Sequence, residues 1–347
     1  MAITTIEDLR EHLQWAIELE HSTMPPYMCA LYSLKPGTNQ EVAEVLTSVV
    51  IEEMLHMTLA ANLLNAVGGS PVLDRPGFIP SYPTCLPHSA ESFVVPLAPF
   101  TPDTLAVFMK IEKPEEHDAP PEDDHYHTIG QFYRAIEDGF RSLCGSLGER
   151  AVFTGDGSRQ ITPDAFDYTG SGRIIAVTDL ASALAAIEEI EEQGEGLKHT
   201  EVWDGDRDMF HPVREEVAHY FRFVEVRDGR WFQRGDTPAS GPTGDPFAVD
   251  WTAVYPVKPG CRTQDCPDGS SLRERMVLFN ATYCGLLRDL QRAFNGDPWH
   301  LYAAMPAMLT LRTLARELMQ TPVGDGPQTA CPSFEYVAAA QFPPATC

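Results

Sequence analysis

The 347-residue chain has 43% hydrophobic residues, enough for a packed core, and 50 acidic against 25 basic side chains, for a formal net charge of −25. That charge repels nucleic-acid phosphates and anionic membrane surfaces, which excludes both as expected partners. No apolar run reaches the roughly 18 residues needed to span a bilayer, and the first residues lack a basic-then-apolar leader pattern, so the expected location is cytoplasmic.

Residues 5–34 read as a helix, because Ile6, Leu9, Leu13, Ala16, Ile17, Glu20 and Met24 recur at three- and four-residue steps. "TTIEDL" supplies a capping threonine and early acids at its start. Pro25 and Pro26 are expected to kink this helix or end its first segment. After the turn "KPGTNQ" a second helix runs over about 40–67 to Gly68-Gly69. Its face carries Val42, Val45, Leu46, Val49, Glu53, His56, Met57, Ala60, Leu63 and Leu64.

Residues 70–127 are proline-rich, with a strand expected at "ESFVVPLAPF" and a helix at "TPDTLAVFMKIE". A helix at "HTIGQFYRAIEDGFRSLCGSL" and a strand at "GRIIAVTDL" follow. Two further helices are read at 178–196 and 211–226. The pairs 5–66 and 178–226 look like two halves of one bundle, and 70–175 forms a covering insertion. A tryptophan-bearing connection (227–269) precedes two amphipathic helices within 270–321. The class is mostly α. The eight cysteines lack CxxC pairs, and Cys261 with Cys266 reads as a loop disulfide or two plain thiols.

Glu-x-x-His occurs four times: Glu18/His21, Glu53/His56, Glu122/His125 and Glu216/His219. On a helix this spacing puts a carboxylate and an imidazole on one face. Glu122/His125 sits in the charged loop "PPEDDHYH", and Glu18 points away from the apolar stripe that Glu20 continues. Glu53/His56 and Glu216/His219 lie among apolar residues and survive. A dinuclear carboxylate site in a four-helix bundle takes one Glu from each of two helices and Glu-x-x-His from each of the other two. Glu20 and Glu53 lie about sixteen residues to either side of the turn, which levels them in an antiparallel pair. For the remaining acid Glu195 is level with Glu216, Glu191 and Glu192 are alternates, and Glu137 is an outside candidate.

Burying four carboxylates without cations is costly. Oxygen donors with two imidazoles suit iron or manganese better than zinc or calcium. The expected metal set is therefore Glu20, Glu53, His56, Glu195, Glu216 and His219 around two irons, with Glu53 and Glu216 as bridges.

The segments "IELEHSTMPPYMCALYSL", "VIEEMLHMTLAANLLNAVGG", "IGQFYRAIEDG", "EEQGEG", "EEVAHYFRF", "FNATYCGLLRDLQRAFNG" and "MPAMLTLRTLARELM" together resemble the ferritin-like family named after iminophenyl-pyruvate dimer synthase. Such domains also occur in the large enzymes of bisindole biosynthesis. The resemblance runs from about residue 5 to 335 and implies one ferritin-like domain over 1–347, a non-haem metal site and a place in secondary metabolism. The expected function is a diiron oxidase or oxygenase with O2 as co-substrate. By resemblance alone, its small-molecule substrate is amino-acid-derived. That substrate is expected to enter against Tyr27, Phe132, Tyr133 and Tyr220. The alternatives are an iron-storage protein and a non-catalytic partner subunit of a biosynthetic complex; a homo-oligomer is left open.

Overall fold

The structure, a computed structural model, describes residues 3–88, 93–114, 126–196 and 201–338. Helix α1 spans Ile6–Ser33, and its start is locked by a capping box in which Thr5 accepts from the Asp8 amide and Asp8 accepts from the Thr5 amide. Contrary to expectation, Pro25 and Pro26 neither end nor divide it. A proline at position 26 cannot donate to the carbonyl of Ser22, and the hydroxyl of Tyr82 donates to that oxygen instead at 2.6 Å. Tertiary structure therefore supplies the donor that the proline lacks.

Helix α2, Gln40–Ala66, returns alongside α1. Asn39 takes the left-handed conformation ahead of it, with its side chain bonded to the backbone of Asp250 in both directions. Helix α3 (Pro102–Ile111) is capped by Thr101, and α4 (Ile129–Leu147) is capped by Thr128. A single turn, α5 (Glu149–Val152), follows. Helix α6 (Leu180–Glu195) starts at the capping residue Asp179.

The region read as a helix over 211–226 is corrected. Strand β1 (Trp203–Arg207) pairs antiparallel with β2 (Glu215–Val217), with Trp203 opposite Val217 and Arg207 opposite Glu215. Only after Ala218 does the chain turn helical, as α7 (His219–Asp228). The ladder gives the amides of 215–217 an alternative to helical bonding, so Glu216 and His219 do not share a helix face. Two expected strands also fail. Residues 173–177 belong to no ladder, and among the described residues of the second segment, 93–100, only Val95 makes a bridge, to Thr84.

Helices α8 (Ser271–Ala293) and α9 (Trp299–Met319) form an antiparallel pair on the flank of α1 and α2. One continuous apolar core runs from Leu9 and Leu13 of α1 through α2, α4 and α6 to Met276 and Leu318. A smaller cluster, with Val202, Val217, Phe221 and Phe232, sits under the β-hairpin. The cysteines from Cys29 to Cys331 are free thiols, so Cys261 and Cys266 form no disulfide. Among the described residues no helix is long and apolar enough to cross a membrane.

Candidate metal centre

Five buried side chains converge between α1, α2, α3 and α7. Glu20 comes from the apolar stripe of α1, Glu53 and His56 from one face of α2, Glu112 from the residue that ends α3, and His219 from the first turn of α7. They form two sets of donor atoms, each within 4.8 Å of one another: Glu20, Glu53 and His56, and Glu53, Glu112 and His219. Glu53 belongs to both.

Both imidazoles are oriented from behind. The amide nitrogen of Gln193 donates to Asp206 at 2.8 Å, which turns its oxygen to His56; Nε2 of His56 donates to that oxygen at 2.8 Å. Nδ1 of His56 is thereby left facing Glu20, 3.6 Å away. Nε2 of His219 lies 2.9 Å from Glu52, and its Nδ1 faces Glu53 at 3.1 Å and Glu112 at 3.5 Å. Despite that proximity, Nδ1 of His219 makes no hydrogen bond of acceptable geometry among the described residues. A buried nitrogen surrounded by carboxylate oxygens, with no hydrogen bond of its own, stands where a ligand to a cation would stand. Outer partners of this kind fix ring orientation and ligand basicity in metal sites.

The carboxylates are held in the same way. Tyr133 donates to Glu20, Tyr27 donates to Glu112, and Thr23 donates to Glu53 at 2.7 Å. Burial first, then the Glu112 and Glu53 carboxylates, raises the Tyr27 phenol well above its ordinary value; burial and Glu20 do the same for Tyr133. Both phenols therefore stay donors. Burial and the charge of Glu112 push the Glu53 carboxyl up to about 7. Burial opposes a charge on His219, yet Glu112, Glu52 and Glu53 raise it well above the ordinary imidazole value. For Glu53 the rise is the expected effect of burial beside another carboxylate, which disfavours its charged form.

Behind His219, Arg222 is buried at 2% exposure and reaches three acids: Glu52 at 2.7 Å, Asp204 at 2.8 Å and Glu216 at 3.1 Å. Burial pushes Glu52 up, but Arg222 and His219 outweigh it and hold Glu52 down at about 2. Glu216 is pushed up to about 9 by burial, against the pull of Arg222, and also accepts from Ser171. One guanidinium cannot keep three buried acids ionised, and Glu52 wins it.

Of the six residues read as a metal set, the fold gathers Glu20, Glu53, His56 and His219. Glu216 stands apart, against Arg222. Glu195 ends α6, and its side chain lies outside the described structure, as do Glu122 and His125. Glu137 pairs with Arg141 one turn along α4, at 2.6 Å. Sequence reasoning missed Glu112 and Gln193. Glu112 carried a legible signal, since it follows Phe108 by four residues and so extends the buried stripe of α3. Gln193 carried none among its acidic neighbours. Tyr27, Phe132 and Tyr133 are fully or almost fully buried, and Tyr220 packs edge-on against Phe221.

A helical bundle with a carboxylate and histidine cluster between its helices defines the class. The chain belongs to the Ferritin-like family, whose model matches residues 13–228. It is 27% identical to a dichlorochromopyrrolate synthase of Lentzea aerocolonigenes, over 99% of this chain and 37% of that protein. It is 26% identical to a 2-imino-3-(indol-3-yl)propanoate dimerase of Chromobacterium violaceum, over 93% of this chain and 33% of that protein. The chain thus spans about a third of the length of these curated relatives. A ferritin-like protein of Caulobacter vibrioides shares the fold with a TM-score of 0.61 at 23% identity, covering 90% of this chain and 98% of the other.

Proposed function

We propose that the chain is a non-haem diiron oxidoreductase, an oxidase or oxygenase, that uses dioxygen to oxidise a small amino-acid-derived substrate in natural-product biosynthesis. The observation that carries this reading is Glu53 shared between two buried donor sets, each completed by an imidazole Nδ1. Glu20 and His56 would hold one iron, Glu112 and His219 the other, and Glu53 both. Bound ferrous iron would supply one electron per ion to dioxygen, with the organic substrate as the source of the rest in an oxidase and an external reductant in an oxygenase. The relatives named as a synthase and a dimerase support the biosynthetic setting, and the imino-indolylpropanoate in one name supports the substrate class.

The chain's own residues orient and shield. Tyr133, Tyr27 and Thr23 fix the three carboxylates, keeping the phenolic protons on Oη while they donate. The ion pair of Glu52 with Arg222 holds the Nε2 proton of His219, so that Nδ1 stays turned inward. Phe108 and Phe223 pack edge-on or tilted against Tyr27 and each other and keep water from that side.

The test is anaerobic loading with Fe(II), counting of bound iron, and exposure to dioxygen with and without candidate amino acids or imino acids. Two irons per chain, loss of both in Glu53→Ala, and an oxidised organic product are the expected results. A wild-type chain that binds no iron would sink the reading. Rapid dioxygen uptake with no organic product would transfer it to iron storage.

A further inference from the structure

A spacious cavity lies away from the metal centre. It has a volume of about 530 Å³ and lies between the α1–α2 hairpin and the α8–α9 pair. That volume falls within the roughly 300–1,000 Å³ of small-molecule sites. On α1, Glu20, Thr23 and Tyr27 serve the metal centre, while His21, Met24 and Met28 line the cavity. On α2, Glu53 and His56 face the donors, while Met54 and Met57 line the cavity. Successive helical residues point about 100° apart, so the two sites occupy different flanks of one hairpin.

The walls are apolar and rich in methionine, with Met24, Met28, Met54 and Met308 beside Leu286 and Leu287. Methionine side chains adapt to irregular apolar shapes. Among the described residues, the charged ones lining the cavity are Lys35, Arg312 and Arg316, with no carboxylate. Acids outnumber bases two to one in this chain, so an all-cationic lining runs against its composition. Lys35 and Arg312 are exposed and mark the mouth.

Arg312 and Arg316 lie one turn apart on α9, where like charges repel. Burial and Arg312 hold Arg316 below the ordinary guanidinium value. Its Nε is buried without a hydrogen-bond partner among the described residues. Deeper in, His21 is fully buried; its Nε2 contacts the Tyr283 hydroxyl at 2.8 Å, and its Nδ1 has no hydrogen-bond partner among the described residues. Unpaired buried polar groups are costly, and a ligand group that bonds them recovers the cost.

We propose that this cavity binds a small-molecule carboxylate with an apolar body, its head group between Arg312 and Arg316 and its body against the methionine wall. The site is separate from the metal centre, and its occupation does not depend on iron. A neutral apolar molecule would leave the paired arginines uncompensated. A cation would add to their repulsion.

The test is calorimetric titration of the iron-loaded protein with decanoate and, as an uncharged match, decanamide. Decanoate is expected to bind at one site at least about tenfold more tightly than decanamide, since a charge-assisted hydrogen bond is about twice as strong as a neutral one. The double variant Arg312→Gln/Arg316→Gln should remove that preference and leave decanamide binding unchanged. Met54→Trp and, independently, Ala43→Leu fill the cavity and should weaken both ligands. Glu53→Ala should retain decanoate binding. The proposal is overturned by any of four results: no saturable decanoate binding, equal affinity for acid and amide, unchanged affinity in both filled variants, or loss of binding in Glu53→Ala, which would place the acid at the metal centre.

Discussion

Glu112 and Glu216 have exchanged the roles that spacing alone suggests. Glu216 belongs to a Glu-x-x-His pattern but bonds to Arg222 and Ser171, while Glu112 belongs to no pattern and faces His219 at 3.5 Å. In iron titrations Glu112→Ala is therefore expected to lower the stoichiometry from two toward one. Glu216→Gln, which replaces an acid already held neutral up to about pH 9, should leave it at two. The opposite pattern would return Glu216 to the site. A second residue-scale expectation concerns Glu225, which accepts from the Phe232 amide at 2.7 Å and is pushed up to about 8 by burial. Between the unfolded value of about 4.5 and the folded value of about 8, the native state holds a proton that the unfolded state has lost, so this group lowers stability as pH rises through that window. Glu225→Gln removes the effect. Denaturant melts should show the variant gaining on wild type from pH 5 to pH 8; a gap that stays constant contradicts the assignment.

At the scale of elements, α1 shows a helix completed by its neighbours. Its periodicity and capping box are local, but its passage through Pro25 and Pro26 depends on Tyr82, a residue sixty positions away. Tyr82→Phe leaves the Ser22 carbonyl buried and unbonded, at a cost of about 1–3 kcal/mol read as a lower denaturation midpoint. An unchanged midpoint would mean that the carbonyl finds another donor. Helix α7 is the complementary case. Its sequence continues a helical pattern back to residue 211, yet pairing with Trp203–Arg207 draws Glu215–Val217 into a strand. The hairpin also brings Asp204 to Arg222 and Asp206 to Gln193, so a short element missed by periodicity anchors the residues behind both imidazoles.

For the whole molecule, charge and core act at different ranges. The net charge of −25 is spread over a chain in which two of the buried acids have a local cation, Arg222 at Glu52 and Arg173 at Glu189. The remaining acids repel one another, and salt screens that repulsion as the Debye length falls from about 30 Å at 0.01 M to about 8 Å at 0.15 M. Thermal melts should therefore shift upward by a few degrees across that range; a fall would point to stabilising surface pairs instead. The helices α1, α2, α6, α8 and α9 were legible because an amphipathic stripe is written at local spacing and holds wherever the element packs. Glu20, Glu53 and His56 were legible for the same reason, as polar residues placed on stripes that must be buried. The sequence by itself determined the helical class and one half of the candidate centre. Only the tertiary structure decided that Glu112 and not Glu216 meets His219, that Gln193 orients His56, and that α8 and α9 enclose a second cavity. Those contacts join residues tens to hundreds of positions apart, and no local period encodes which distant face a side chain will meet.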